Sequence, residues 1–545
     1  MSEAQSSISR RVSDEIERRW RAWHVDEHTL KFIRHNQRIW QPPKPNGIMP
    51  EVLVNFDALC INHIRISYIT NALVRQHGAV IKSYSGASVH NKRRIRLVYE
   101  SFGVRGHVIT QLDGPQRRLQ QSEFDTIRPG LNTRQDILNL SVLGVPVGDD
   151  IYDTYLREGQ RGTVDFDDPV FDQVLLRSIG LVIFWQDYFA RNRVAAAAVS
   201  LDAYIDIMAL VKVAYAHGVP VTNVDLVTPA KRGASTTAHA YFAHLHDWFL
   251  QLPLVEQETG LATAAHYLDR RLRGEVGVGI SYYMNKSPFH GRRSGRVLRE
   301  SKNPKVLICT HEFSDAPHCY GEMLFLDFYE WMDYLGKMSL VTDYDWYVKY
   351  HPGYWDVSVR IVNDFLKKYP RLSVIPPYAS HLQLVEEGLD CVFTCMGSVA
   401  HEYPALGVPV INAAYNPHAA YTFSYTPKTV DEFRQLMLTV PRQKPEISQR
   451  EIHEFFYMFN YDLLSDQVGV SWWRAMQQEA PFGEVAEPRF YTRFLRYHSE
   501  QRHQEVLDHL SWALPAQATH PAQLALLRYR QAREAVASTT ARAHV

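Results

Sequence analysis

From residue 304 to residue 412, short apolar runs alternate with segments of helical periodicity, and this alternation constrains the fold more than any other feature of the sequence. Consecutive parallel strands need a long crossover between them, usually a helix, so such an order is typical of a doubly wound parallel sheet. The predicted strands are 305–310, 346–350, 373–375, 391–394 and 410–411, and the predicted helices are 322–335, 357–368, 382–387 and 399–406.

The same rhythm occurs earlier in the chain. Residues 51–56 form a predicted strand, residues 63–77 a helix that ends at Gly78 in a left-handed cap, and residues 195–224 a further strand, helix and strand. Since one hydrophobic core seldom serves more than about 300 residues, the chain length predicts at least two domains. We therefore expect an α/β protein of two Rossmann-like domains with a central cleft and helical additions at both ends.

The expected domain boundaries follow the breaks in this rhythm. A Pro-rich run at 41–45 stops any helix and separates the N-terminal residues from the core. Helical signals dominate beyond residue 430. The expected units are an N-terminal helical extension (1–48), a first Rossmann-like domain (49–295), a second (296–465) and C-terminal helices (466–545) that partly cross back onto the first domain.

Charge and cysteine content exclude several classes of function. Lys plus Arg equals Asp plus Glu at 59 each, so no overall field attracts nucleic acid, and we expect no nucleic-acid partner. The five cysteines are odd in number and several lie in apolar runs, which indicates reduced thiols. No secretory signal precedes the core, so we expect a cytoplasmic protein, and docking at the inner face of the membrane stays open.

The most informative segment is CVFTCMGSVAHEYPALGVPVIN, at 391–412. A strand leads into Gly397 and Ser398 and a helix begins at once, which predicts unpaired backbone amides that favour an anion such as phosphate. Glu402 lies one helical turn beyond Ser398, so we expect it to accept hydrogen bonds from ribose hydroxyls. The alternative is that Ser398 only caps the helix and that Glu402 lies on the surface.

A second segment, VKYHPGYWD at 348–356, places His351 and Pro352 directly after a strand. Open α/β sheets bind ligands outside the carboxyl ends of their strands, so His351 is expected in that crevice, with Pro352 fixing the turn. Its imidazole would donate to a phosphate or stabilise a departing one. The alternative is a purely structural histidine.

A third segment, THEFSDAPHCYGEM at 310–323, follows the first strand of the second half. It contains His311, Glu312, Asp315 and His318. Their spacing is loose for metal ligands, so we expect no metal site and instead contacts from His311 and Tyr320 to the ligand of the crevice.

The His-Pro turn, the later Gly-Ser, helix and Glu, and the returning Gly-Val-Pro-Val-Ile together resemble the donor half of GT-B glycosyltransferases. The similarity is greatest to bacterial capsule and surface-polysaccharide biosynthesis proteins. GDDIYDTYLR at 148–157, Val199-Ser200 and HGVPV at 217–221 also resemble the acceptor half of that group. The resemblance covers roughly residues 50 to 430.

This resemblance implies a glycosyltransferase that binds a UDP-, GDP- or CMP-linked sugar between its domains, with no tightly bound cofactor. The implied acceptor is a bacterial surface glycan or a lipid-linked glycan, and a peripheral membrane or biosynthetic-complex association stays open. Two catalytic residues are predicted. Asp202, after a strand of the first half, is the predicted base or nucleophile, and His351 is the other. Related chains often carry a histidine near this position, whereas this one has Leu201-Asp202, and a helix N-cap is the alternative role.

Other functions fit the same fold. A sugar-nucleotide epimerase and a polyol-phosphate transferase share this architecture, and a non-catalytic glycan-assembly factor could keep a degenerate site. The sequence leaves the base, the sugar, the acceptor and the stereochemistry of transfer open.

Overall fold

The computed structural model of the protein describes most of the chain. The described residues are 25–40, 47–86, 93–225, 228–230, 242–275, 287–289, 295–319, 321–351, 353, 356–376, 379–443, 445–465, 471–481, 483–516, 520 and 522–531.

The first half is built on a six-stranded sheet. Its strands are β1 (Glu51–Asn55), β2 (Val80–Ser85), β3 (Val104–Ile109), β6 (Val194–Val199), β7 (Val221–Asn223) and β8 (Thr228–Pro229), and β4 (Ser141–Val142) and β5 (Val145–Pro146) form a separate hairpin. The order is β3-β2-β1-β6-β7-β8, and every pair is parallel except β7 with β8. Five parallel strands thus form the Rossmann-like core of this half.

Helices cover both faces of this sheet. They are α1 (Glu27–Ile39), α2 (Cys60–His77), α3 (Arg93–Ser101), α4 (Gly114–Ile127), α5 (Arg134–Leu138), α6 (Gly148–Gly159), α7 (Pro169–Arg191), α8 (Ile205–Ala216), α9 (Leu245–Gln251) and α10 (Leu254–Leu272). Helix α2 ends, as the sequence predicts, in a left-handed cap at Gly78, with φ 58° and ψ 45°. Its length and nearly all-round burial make it the central crossover of the first half.

The second half has a five-stranded parallel sheet. Its strands are β9 (Lys305–Cys309), β10 (Asp345–Lys349), β11 (Leu372–Val374), β12 (Cys391–Thr394) and β13 (Val410–Asn412), in the order β11-β10-β9-β12-β13. The helices between and after them are α11 (Phe328–Val341), α12 (Asp356–Lys368), α13 (His381–Glu386), α14 (Val399–Ala405) and α15 (Val430–Thr439). The two sheets confirm the predicted fold class of two Rossmann-like domains.

One predicted helix was misplaced. The sequence analysis began it at residue 322, but α11 begins at Phe328 because the carboxylate of Asp327 caps it by accepting from Glu330 N at 2.8 Å. The residues before the cap are held differently, since Met323 bridges Ala414 next to β13.

The last helices pack on the first half. They are α16 (Gln449–Phe459), α17 (Tyr461–Leu464), α18 (Ser471–Gln478), α19 (Arg489–Tyr497) and α20 (Glu500–Ala516). Tyr491 of α19 stacks on Phe32 of α1, with ring centroids 4.4 Å apart. Apolar side chains of α16, α19 and α20 share one continuous core with β1 and α2.

A buried polar junction joins the two halves. Asp327, which is fully buried, accepts hydrogen bonds from Tyr152 at 2.6 Å, from Thr163 at 2.6 Å and from Arg134 at 3.2 Å. His318 donates from Nδ1 to Asp153 at 2.5 Å. Residues 148–157, which resemble an acceptor-half motif, therefore supply α6 and part of this junction.

None of the helices in the described parts of the chain has the length and apolar character needed to cross a membrane.

Candidate functional site

The strand order of the second sheet creates a crevice at one edge. The chain leaves β9 toward β10 and returns later to β12 on the other side, so the connections diverge outside the carboxyl ends of β9 and β12. A cavity of about 360 Å³ lies there. Residues 309–311, 349–351 and 396–399 line it, and α10, α13, α14 and α16 complete its wall. The cavity thus brings together the two segments that the sequence analysis singled out.

Lys349, the last residue of β10, lines this cavity as a buried ammonium group. Its Nζ donates to Ala379 O at 2.8 Å, and no carboxylate pairs with it among the residues that the structure describes. Burial lowers the pKa of Lys349 below its ordinary value. A buried cation without a counter-ion is costly, and an anionic ligand would relieve that cost.

His351 lies at the mouth of the cavity with its side chain 43% exposed. Its Nδ1 is 3.1 Å from Oε1 of Glu312, a buried carboxylate, and 3.2 Å from the amide nitrogen of Gly353. One nitrogen cannot serve both partners at once, because it must donate to the carboxylate and accept from the amide. Donation to Glu312 leaves Nε2 as an acceptor in the neutral ring and as a second donor in the charged ring.

Gly353 is required by this arrangement. A Cβ placed there would lie 2.5 Å from Glu312 Oε1 and 3.1 Å from His351 Nδ1, so the Glu312 carboxylate would have to shift. The glycine after the His-Pro pair therefore leaves room for the imidazole and carboxylate to meet.

Glu402 is buried and forms an ion pair with Arg271 of α10. Arg271 donates from Nε to Glu402 Oε1 at 2.7 Å and from Nη2 to the same oxygen. Oε2 receives no hydrogen bond within the described part of the chain. The alternative of a surface glutamate is therefore wrong, while the second oxygen stays available to a hydroxyl donor.

Gly397 and Ser398 both line the cavity. A Cβ on Gly397 would lie 2.9 Å from Thr394 Oγ1, so this position has no room for a side chain. Ser398 is the N-cap residue of α14, but its side chain makes no capping hydrogen bond, which rules out the capping alternative.

The helix that follows offers fewer anion-binding groups than the sequence suggested. Helix α14 has seven residues, and the amides of Ala400, His401 and Glu402 donate to the carbonyls of Gly397 and Ser398. Fewer backbone amides are therefore unpaired at the start of α14 than the sequence predicts, and the positive charge of the cavity comes from Lys349 instead.

His311 lines the cavity and holds the loop after β12. Its Nε2 accepts from the amides of Cys395 and Met396, each at 3.3 Å, and its ring stacks on Phe328 with centroids 4.7 Å apart. Burial lowers the pKa of His311 to about 3, so the ring is neutral and carries its proton on Nδ1. Because Nε2 of His311 is occupied by the loop amides, Nδ1 is the ring atom that could donate to a ligand.

His381 of α13 forms another part of the wall. Its ring stacks on Tyr403, with centroids 4.9 Å apart at 20°, and burial lowers its pKa to about 3. Nδ1 of this buried ring has no hydrogen-bond partner in the described residues.

Other predicted residues lie elsewhere. Pro352 and Tyr320 fall outside the described residues. Asp202 lies between β6 and α8 and is not among the described residues that line the cavity. It is not the N-cap of α8 either, because that position belongs to Tyr204, whose hydroxyl donates to Asp315 at 2.6 Å across the junction.

The four residues of the loose His, Glu and Asp cluster point to separate partners. His311 bonds the loop amides, Glu312 bonds His351, Asp315 bonds Tyr204, and His318 bonds Asp153. They do not converge on a common point.

Several residues of the site escaped the sequence analysis, among them Lys349, Arg271 and, as the partner of His351, Glu312. Lys349 had a usable signal, because it stands two residues before His351 and side chains two apart in a strand share a side. Arg271 had no usable signal in the sequence, because its partner Glu402 lies 131 residues further along the chain.

No protein-family model matches the chain, and the search of curated proteins finds no similar sequence. Among solved structures, the UDP-GlcNAc 2-epimerase of Neisseria meningitidis bound to UDP-GlcNAc is 11% identical, covers 76% of this chain and 100% of its own, and has a TM-score of 0.22. KpsC of Thermosulfurimonas dismutans, a beta Kdo 2,4 transferase, is 14% identical, covers 48% and 79%, and has a TM-score of 0.30. MurG of Acinetobacter baumannii is 9% identical, covers 84% and 98%, and has a TM-score of 0.17. A sugar transferase and a sugar-nucleotide epimerase are thus among the structures matched.

Proposed function

We propose that the protein is a glycosyltransferase that binds a nucleotide sugar in the cavity and transfers the sugar to a bacterial surface glycan. The observation that carries this proposal is Lys349, a buried ammonium group without a described carboxylate partner at the carboxyl edge of a parallel sheet. Among the lining residues, Lys349 and Arg271 are cationic and Glu402 is anionic, so the cavity favours an anionic guest.

Each part of a nucleotide sugar has a complementary group. The phosphates would lie against Lys349 and the hydroxyl of Ser398, in the space that Gly397 keeps open. A ribose hydroxyl would donate to the second oxygen of Glu402. Catalysis would then rest on positioning and on stabilising the charge that develops on the departing phosphate.

His351 is suited to the leaving group. When both ring nitrogens are protonated, Nδ1 donates to Glu312 and Nε2 donates to the phosphate that departs from the sugar. The carboxylate orients the ring, so the pair places a donor where negative charge grows.

The acceptor would bind toward the first half. Asp202 is the proposed base or nucleophile there, and its loop reaches the second half through the hydrogen bond from Tyr204 to Asp315. A lipid-linked glycan as acceptor would bring the enzyme to a membrane surface.

Nucleotide binding tests the proposal directly. Calorimetry with UDP, GDP and CMP should find one nucleotide that binds the wild-type protein, and Lys349→Met should weaken that binding about 10- to 100-fold by removing a charged hydrogen bond. Lys305→Met is the matched control. Lys305 is also a buried lysine at an end of the same sheet, but its Nζ bonds Ser301 O at 3.3 Å away from the cavity. Equal affinity of the Lys349 variant and wild type would contradict the proposal.

Product analysis separates transfer from the alternative reactions. Incubation with the nucleotide sugar alone should leave it intact over the time in which added acceptor is glycosylated. Conversion of the donor without acceptor would instead identify an epimerase, transfer of a polyol phosphate a polyol-phosphate transferase, and the lack of any nucleotide binding a glycan-assembly factor.

A further inference from the structure

Two histidines and an asparagine form a hydrogen-bonded chain in the cavity wall. His401 Nδ1 lies 3.0 Å from His418 Nε2, and His418 Nδ1 lies 3.0 Å from Asn416 Oδ1. All three side chains are buried, and both histidines line the cavity. Helix α14 supplies His401, and the loop after β13 supplies the other two residues.

The asparagine sets the direction of every hydrogen bond in this chain. Its Nδ2 donates to Ala414 O at 2.9 Å and its Oδ1 accepts from the amide of His418 at 2.8 Å, so the amide orientation is fixed. Asn416 Oδ1 can then only accept from His418, which places a proton on His418 Nδ1.

The remaining protons follow in order. Burial lowers the pKa of His401 to about 3 and that of His418 well below its ordinary value, so both rings are neutral. A neutral His418 with its proton on Nδ1 has a lone pair on Nε2, and His401 Nδ1 must donate to it. His401 Nε2 is therefore left as an acceptor.

His401 Nε2 is buried and makes no hydrogen bond within the described residues. Its surroundings are largely apolar, because Phe455 lies 5.2 Å from the His401 ring, and Phe459 and Pro417 line the same part of the cavity. A buried acceptor without a donor costs about 1 to 3 kcal/mol, which a ligand donor would recover.

We propose that this wall is a subsite for an uncharged hydrogen-bond donor of the bound substrate, a hydroxyl or an N–H group, with His401 Nε2 as the acceptor. His418 and Asn416 are positioning residues that hold His401 in the accepting tautomer. This inference rests on the proposed function, since it assigns one more group of the same nucleotide sugar. The donor is either a sugar hydroxyl or an N–H of the nucleobase.

Binding to a His401→Phe variant separates these sources. Phenylalanine keeps the ring and removes the acceptor, so affinity should fall about tenfold. If the donor is on the nucleobase, binding of the free nucleotide weakens. If it is on the sugar, only the intact nucleotide sugar binds more weakly. Unchanged affinity for both, in a variant that melts at the wild-type temperature, overturns the inference while leaving the proposed function standing. Failure of the wild-type protein to bind any of UDP, GDP and CMP overturns the proposed function instead.

A measurement on the wild-type protein covers the case in which the variant does not fold. Nitrogen-15 NMR of histidine-labelled protein distinguishes a protonated ring nitrogen from one with a lone pair. The expected result is a proton on Nδ1 and a lone pair on Nε2 of His401, with the Nε2 signal shifting when the nucleotide sugar is added. A proton on Nε2 overturns the inference.

His418→Phe tests the positioning role. It leaves His401 in place but removes the acceptor for its Nδ1 proton, so both tautomers become available. We expect a smaller loss of affinity than for His401→Phe, together with a mixed tautomer signal for His401. A His401 tautomer unchanged from wild type would show that His418 does not position it.

Discussion

The two sheets share one strand order, yet their switch points differ. In the first half, β1 and β6 end side by side, and Asn55 Nδ2 donates to Ser200 Oγ at 2.7 Å while Ser200 N donates to Asn55 Oδ1 at 2.9 Å. Ser200 Oγ also donates to Asp57. In the second half, β9 and β12 end at a cavity whose wall contains buried ring nitrogens without described partners.

The difference shows that topology alone does not make a binding site. A switch point offers a crevice in both halves. Where the side chains at the edge satisfy one another, they stabilise the fold, and where they are left with unused donors, acceptors or charge, they are complementary to something else. In the second half such groups, Nδ1 of His381 and Nε2 of His401, lie in the wall of a cavity, and we therefore place the proposed site there.

The largest expected effect is at the buried ion pair of the second switch point. Arg271→Met leaves Glu402 buried and unpaired, so the free energy of unfolding should fall by about 3 to 5 kcal/mol. Denaturant unfolding measures this, and adding Glu402→Gln should recover much of the loss. The control is Arg96→Met, which breaks the exposed pair with Glu100 in the first half and should cost about 0.5 kcal/mol or less. Equal losses at the two sites would remove this contrast between the halves.

Acid stability gives the next largest effect. His381 has a pKa of about 3 when folded, against an ordinary value of 6.5. As pH falls below about 6.5, His381 becomes protonated in the unfolded chain, whereas in the folded protein it stays neutral until about pH 3. The free energy of unfolding therefore falls between pH 6.5 and pH 3. His381→Phe removes one such proton, and the free energy of unfolding measured from pH 6 to pH 4 should fall less steeply by about 1.4 kcal/mol per pH unit. An unchanged slope would mean that His381 is charged in the folded state.

A smaller effect is expected on turnover from Gly353→Ala. The added methyl group forces Glu312 and His351 apart, so kcat should fall about tenfold, equivalent to about 1.4 kcal/mol, while nucleotide affinity changes little. Steady-state kinetics with a saturating donor measures it. Gly218→Ala serves as a control for glycine substitution remote from the site, because a Cβ there meets nothing within 4 Å, although its φ of 71° adds backbone strain. A full kcat in the Gly353 variant would argue against a role for the imidazole and carboxylate pair.

The smallest effect belongs to the first switch point. Ser200→Ala removes the hydrogen bonds to Asn55 and Asp57 and should cost about 1 kcal/mol of stability with no change in nucleotide affinity. Thermal unfolding measures the expected loss of stability, and calorimetry on the same sample measures the nucleotide affinity. A clear loss of nucleotide affinity would show that the first switch point also contacts the donor.

The fold was largely readable from the sequence because its signals are local. All five strands of the second half were predicted within a few residues, and Gly78 marked a helix end through its own backbone preference. The start of α11 was misplaced because the helical pattern reads on before residue 328, whereas the cap at Asp327, a residue that also serves the junction between the halves, fixes where the helix begins.

The site was readable only in part, because its chemistry depends on distant pairs. His351, Gly397, Ser398 and Glu402 were located by their places after strands, and all four line the cavity. The partner of Glu402 and the hydrogen bonds from His401 to His418 could not be predicted. Each contact joins residues on different elements, and no regular spacing in the sequence marks such a pair. Lys349 was taken for an ordinary strand residue. What distinguishes it from other lysines is that it is buried with no carboxylate partner among the described residues, and the sequence does not show this.

Under the proposed function, the buried junction between the halves bears on how a substrate reaches the cavity. Swinging the domains apart would break the three hydrogen bonds to Asp327 and separate His318 from Asp153. The loss of these contacts opposes such a motion, so under the proposed function we expect the two halves to stay together while a substrate binds. Entry would then take place through the gap beside His351 and the exposed ring of Phe459, without a large-scale hinge.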